Sequence, residues 1–166
     1  MLFVKWDTVM NIQYSLAELL NQETILQFDG FNNDTAWQLG CHLKQLAEEK
    51  GVVIAIEIYA FNQTQFSYAM SGTQPDNFYW IKRKRQSVLR FGHSTYYLNQ
   101  YNQSKNREFE QQVHIDALEY CAHGGAFPII IKNCGLIGVV TVSGLPQVED
   151  HEIVIEAIAK TIQPTS

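Results

Sequence analysis

Charge is sparse in this chain. Asp, Glu, Lys and Arg fill 17% of 166 positions, against roughly a quarter in an average soluble domain. Twelve Lys and Arg stand against 17 Asp and Glu, a formal net charge of -5. The chain therefore lacks the basic excess with which a nucleic-acid binder neutralises phosphates, and no nucleic-acid partner is expected. Cysteine is scarce too: Cys41, Cys121 and Cys134 are odd in number and form no CxxC pair. That argues against a disulfide framework and a zinc finger, so the expectation is reduced thiols, a cytoplasmic location and no metal site. No apolar run approaches membrane-spanning length, and the opening MLFVKWDTVM is interrupted by Lys5 and Asp7, so neither a signal peptide nor a membrane partner is expected. No serine stands in a GxSxG elbow, and the scattered Cys and His residues make no nucleophile and base pair.

What the chain has in surplus is apolar surface, with 46% hydrophobic and 12% aromatic residues. That excess favours a subunit interface and hence a homo-oligomer. Residues 1–10 read as a short N-terminal extension and residues 11–166 as one domain, with no internal repeat or linker. Ser15 and Glu18 form a capping box for a helix to about Gln22, and Thr24 to Phe28 reads as a strand. Asp34 caps a helix ending near Gly51, with Trp37, Cys41, Leu43 and Leu46 on its apolar face, which places Cys41 in the core. "VVIAIEIY" and "TQFSYAM" make a hairpin, Pro75 and Asp76 open a helix stopped by Gly92, and "STYYLNQYNQ" makes a second. The segment from Ser104 to Glu119 is polar and weakly helical. "FPIIIK" and "LIGVVTVSG" form a second hairpin, and Pro146 opens a last helix whose Val154, Ile155, Ile158 and Ile162 cover the sheet. Two hairpins without regular βαβ alternation predict an α+β fold, a central antiparallel sheet of about five strands flanked by helices.

Four places carry candidate chemistry. In "WIKRKRQSVLR" the cations read either as a solvated helix face or, because Lys84 or Arg85 falls in phase with Ile81 and Val88, as at least one inward charge needing Glu57, Asp150 or an anionic ligand. Glu57 interrupts an apolar strand on the face of Val53, Ala55 and Tyr59. It is either one half of a buried pair with Arg or a ligand-site acid. His123, Gly124 and Gly125 precede a strand, as a tight turn around a hydrogen-bonded histidine or as backbone approached closely by a ligand. Ser143, Gly144 and Pro146 join a strand end to a helix start that favours anions. Asp150 there is either favourable charge near the helix's positive end or a site residue, and His151 faces inward.

"SLAELL", "FDGFNNDTAWQLG", "WIKRKRQSVLRFG", "CAHGGAFPI" and "GVVTVSGLPQVEDH" together resemble the uncharacterised protein family related to the haem-degrading HbpS/GlcG-like proteins, from Ser15 to Ile162. The resemblance implies a profilin-like domain and ring-like or higher homo-oligomers. The wider superfamily includes haem-binding proteins and the C-terminal domain of some corrinoid adenosyltransferases. It also marks Trp80, Arg83, Lys84, Arg85, Phe91, His123, Gly124, Gly125, Gly144, Pro146, Asp150 and His151 as recurring positions, with Glu57 where many relatives carry another acid. The segment Asn99 to Gln112 aligns with no family motif. The expected function is a homo-oligomeric binding protein whose ligand site draws on Glu57, Trp80, Arg83, Arg85, His123, Gly124, Gly125, Gly144, Asp150 and His151. Its ligand is haem, another tetrapyrrole or a different small anion. The alternative is an adaptor for a protein partner, and an enzyme acting on haem or a small metabolite ranks third.

Overall fold

The computed structural model describes residues 14–163, so the expected extension over residues 1–10 lies outside the described residues. The elements in chain order are α1 (Leu16–Ile25), α2 (Asn33–Lys50), β1 (Ala55–Ala60), β2 (Gln63–Ala69), α3 (Asp76–Phe91), α4 (Thr95–Ser104), a 3-10 turn at Phe109–Gln111, β3 (Ala126–Ile131), β4 (Gly135–Ser143) and α5 (Gln147–Ile162). Local chemistry sets their ends. Ser15 Oγ accepts the Glu18 N–H while Glu18 accepts the Ser15 N–H, closing the capping box. Asn32, rather than the expected Asp34, caps α2, because its side chain reaches the Thr35 N–H at 2.9 Å. Gly51 and Gly92 end α2 and α3 at positive φ, where a side chain would be strained.

The sheet runs β2-β1-β4-β3, antiparallel throughout. It has four strands instead of about five. Thr24 and Ile25 complete α1, the Leu26 N–H bonds back to the Gln22 carbonyl, and Phe28 makes only an isolated bridge to Ile131. Leu19 and Leu26, seven residues apart, are both buried, so burial of a helical stripe outweighs the β-propensity of the short "TIL" run.

The two sheet faces are filled differently. Ile54, Ile56, Ile58, Phe127, Ile129, Val140 and Val142 meet α2 and α5 in the main core. On the other face Val139 and Ala126 pack under Val88 of α3, beside Glu57 and Thr141, which sit opposite each other in the β1–β4 register. Cys41 is exposed, contrary to expectation. Helix α2 buries Ala36, Leu39, Gly40, Leu43, Leu46 and Ala47, and one step beyond Gly40 turns Cys41 about 100° off that stripe.

Helix α3 sits on the polar face through charge as well as apolar contact. The Arg85 guanidinium pairs with the Glu57 carboxylate and lies 4.5 Å from the Tyr59 ring centroid. Glu57 is 8% exposed, so losing its partner leaves a carboxylate almost dehydrated. Lys82, exposed on the same helix, stands 3.6 Å from Glu119. Urea unfolding should therefore find Arg85→Ala destabilised by about 2 kcal/mol or more, and Lys82→Ala by under about 0.5 kcal/mol. Equal small losses would show that the Arg85 contact contributes nothing.

Candidate functional site

Helices α3 and α5 both start behind a proline, Pro75 and Pro146, and neither proline offers a side chain to cap the first N–H groups. The two starts converge on one open cavity of about 420 Å³. Gln74, Asp76, Asn77 and Trp80 line it from the α3 side, and Gln147 from α5. The Asn77 amide donates to Ser143 Oγ at 3.2 Å and ties the α3 start to the end of β4.

The floor is a buried ion pair. Lys84 Nζ donates to Asp150 Oδ2 at 3.1 Å and to the Val142 carbonyl at 3.0 Å. The two side chains are only 4% and 2% exposed. Asp150 Oδ1 accepts the Leu145 N–H at 3.1 Å. Asp150 is thus a buried partner rather than a solvated charge at the helix end, because its carboxyl turns back across the β4–α5 turn toward a lysine arriving from α3. Burial pushes its pKa up to about 6, while the Lys84 ammonium and the Leu145 and Gly144 N–H groups pull the other way.

The wall holds Trp80 and His123, their rings edge to face at 4.9 Å. Nearly half of the His123 side chain is exposed, and Nε2 is 3.7 Å from Glu110 Oε1. Burial lowers its pKa from the usual histidine value, so the imidazole is neutral at pH 7 and keeps a lone pair. Arg83 stacks on Trp80 at 4.7 Å, outside the cavity lining.

The glycine pair serves packing. A Cβ on Gly124 would stand 2.2 Å from the Gln147 carbonyl oxygen, and one on Gly125, at φ 129, 2.7 Å from both Lys84 Nζ and the Val142 carbonyl oxygen. The close approach the sequence suggested is therefore made by α5 and the lysine head.

Of the ten expected site residues, Trp80, His123, Gly124, Gly144 and Asp150 line the cavity, and Gly125 lies against its Lys84 and Asp150 floor. Glu57 and Arg85 pair with each other and do not line it. His151 also lies apart, buried with Nε2 2.7 Å from Gln22 Oε1 and the Tyr96, Tyr14 and Phe127 rings 5.1, 5.9 and 6.0 Å away. The expected site lacked Lys84, Asn77, Ser143 and Gln147, which also line the cavity. Lys84 had a signal in its phase with Ile81 and Val88, and Ser143 in its place between a strand end and a helix start, whereas Asn77 and Gln147 had none. Among the described residues no group of three or more His, Cys, Asp or Glu could hold a metal ion.

His151 and Asp150 load the pH dependence of folding in opposite senses. Burial takes His151 down to about 4, so its contribution is full above the unfolded histidine value and is lost as pH falls toward 4. Asp150 is raised to about 6, so its contribution is full below the unfolded aspartate value and is lost as pH rises to 6. In urea unfolding, the stability advantage of the wild type over His151→Gln should grow from pH 4 to 6.5, and that over Asp150→Asn should shrink from pH 4 to 6. Parallel curves for either variant would show that the residue does not titrate differently on folding.

The family model for "Haem degrading protein HbpS-like" matches residues 31–159. A UPF0303 protein of Psychromonas ingrahamii is 70% identical over 154 residues, covering 93% of this chain and 97% of its own. Among solved structures, the Ybr137w protein aligns with a TM-score of 0.84 at 28% identity, over 92% of this chain and 91% of that one. PduOC, in a complex with haem, shares the fold with a TM-score of 0.66 at 16% identity, over 78% of this chain and 94% of that one. The conjunction of cavity, sheet and sequence thus has a family: the chain belongs to the HbpS-like proteins, in their UPF0303 branch.

Proposed function

We propose that the chain is a cytoplasmic, homo-oligomeric binding protein that takes haem, a related tetrapyrrole or another small anionic ligand in the cavity between the α3 and α5 starts. The observation that carries this reading is the company of groups there: a buried ammonium, two helix starts without side-chain caps, an indole and a neutral, half-exposed imidazole. An anionic tail such as a propionate would meet Lys84 and the helix N–H groups, where dipole and charge favour it. A flat body would lie against Trp80. His123 would hold iron through its lone pair, and bound haem would supply ligand and redox chemistry at that iron. Membership of the HbpS-like family and the haem complex of PduOC support the choice of haem.

Haemin titrated into the purified protein should give a Soret shift that weakens in His123→Ala. An unchanged spectrum across a saturating titration would remove haem and leave a different anion as the ligand.

Self-association is supported by the sheet edge. Most of β2 is exposed, with Tyr68 on it, and Trp37 of the neighbouring α2 is 63% exposed. An edge of this kind invites a second copy. Light scattering at micromolar concentration should give a multiple of the 19.0 kDa chain mass. A mass of one chain, unchanged on concentration, would refute the oligomer.

A further inference from the structure

The cavity floor already contains an anion. Lys84 Nζ has three N–H donors; two go to Asp150 Oδ2 and the Val142 carbonyl, and the side chain borders the cavity. The other Asp150 oxygen engages Leu145 N–H in the β4–α5 turn. The protein's own carboxylate thus occupies donors that a bound oxyanion would seek. We propose that Asp150 is a built-in counter-anion that competes with the ligand's anionic head for Lys84 and the turn N–H groups, and so determines how strongly the site holds a carboxylate or similar oxyanion. This rests on the reading of the cavity as an anion site.

The surrounding charges isolate the effect. From α3 come Lys84 at the floor and Asp76, exposed in the lining. From the segment before β3 comes His123, neutral at pH 7, backed by Glu110. On α5 itself Glu149 is exposed, and His151 turns away to Gln22. The floor therefore carries one ammonium and one carboxylate, with no net charge, while Asp150 is ionised. Neutralising Asp150 leaves an unbalanced ammonium beside the helix starts, in surroundings of low dielectric where one charge weighs heavily. With burial holding the carboxyl up at about 6, the neutral form is reached in mild acid. Anion binding then draws a proton onto Asp150, and affinity rises as pH falls.

Inorganic sulfate is a suitable probe because its charge is constant between pH 5 and 7.5. Its affinity, followed by amide chemical shifts at fixed ionic strength, should be about tenfold or more higher at pH 5 than at pH 7.5, as the binding-competent fraction grows. Asp150→Asn should bind about tenfold or more tighter than the wild type at pH 7.5, with a smaller pH dependence than the wild type. His123 also gains charge in acid, so the dependence must persist in His123→Gln, a variant that also decides the matter if Asp150→Asn does not fold. Equal wild-type affinity at the two pH values, weaker binding by Asp150→Asn, or loss of the dependence in His123→Gln would each overturn the counter-anion role alone. Absence of sulfate binding at both pH values, together with an unchanged haemin spectrum, would overturn the anion site itself.

Discussion

A lysine ammonium held almost out of water is the constraint around which this molecule is arranged. Taking Lys84 and Asp150 out of solvent costs several kcal/mol per ion, which their attraction offsets only in good geometry with the remaining donors and acceptors satisfied. That geometry is assembled from three elements: α3 brings the ammonium, β4 a carbonyl, and the first turn of α5 the carboxylate. The pair adds little net stability by this reasoning, but it fixes where the two helices begin relative to the strand end. The cavity is the space those two beginnings enclose.

The sheet separates two kinds of cohesion. Between the sheet and α2 and α5 the contacts are apolar and close-packed, with isoleucines at alternate positions of β1. Under α3 the packing is sparser and is supplemented by directed contacts: Arg85 to Glu57, Lys84 to Asp150 and Val142, and Ser87 Oγ accepting the Cys121 N–H. Apolar packing tolerates small slides, whereas paired charges penalise them. The face that borders the cavity is the one tied by charge.

Much of this was legible along the chain. A capping box, opening prolines and terminal glycines marked four of the five helices, and both hairpins stood out as β-branched runs around short turns. The errors came where local propensity met distant packing. "TIL" looked extended because β-branching is a local property, while Leu19 and Leu26 decided for helix through contacts elsewhere in the fold. Cys41 was misplaced by one step of helix phase. At the site, His123 stood out beside its glycine pair, and Trp80 entered through the family resemblance. Asp150 stood only as one of two acids offered to an inward cation, because its partner lies 66 residues away, and no spacing rule reaches that far to choose between them. The glycine pair was recognised as a place of close approach, but what approaches is lysine and helix backbone.

Gly125 extends that arrangement into the history open to the sequence. Any side chain there collides with the lysine head and the β4 carbonyl, so the glycine cannot drift while Lys84 remains. Lys84 cannot be shed first without stranding a buried carboxylate, which is among the costlier single changes a fold can suffer. Nor can Asp150 be neutralised first without stranding the ammonium, so the two charges must leave together, and even then the φ of 129 and the Val142 carbonyl keep a side chain off Gly125. Two ordinary codons are thereby locked to each other, and a third to the backbone around it.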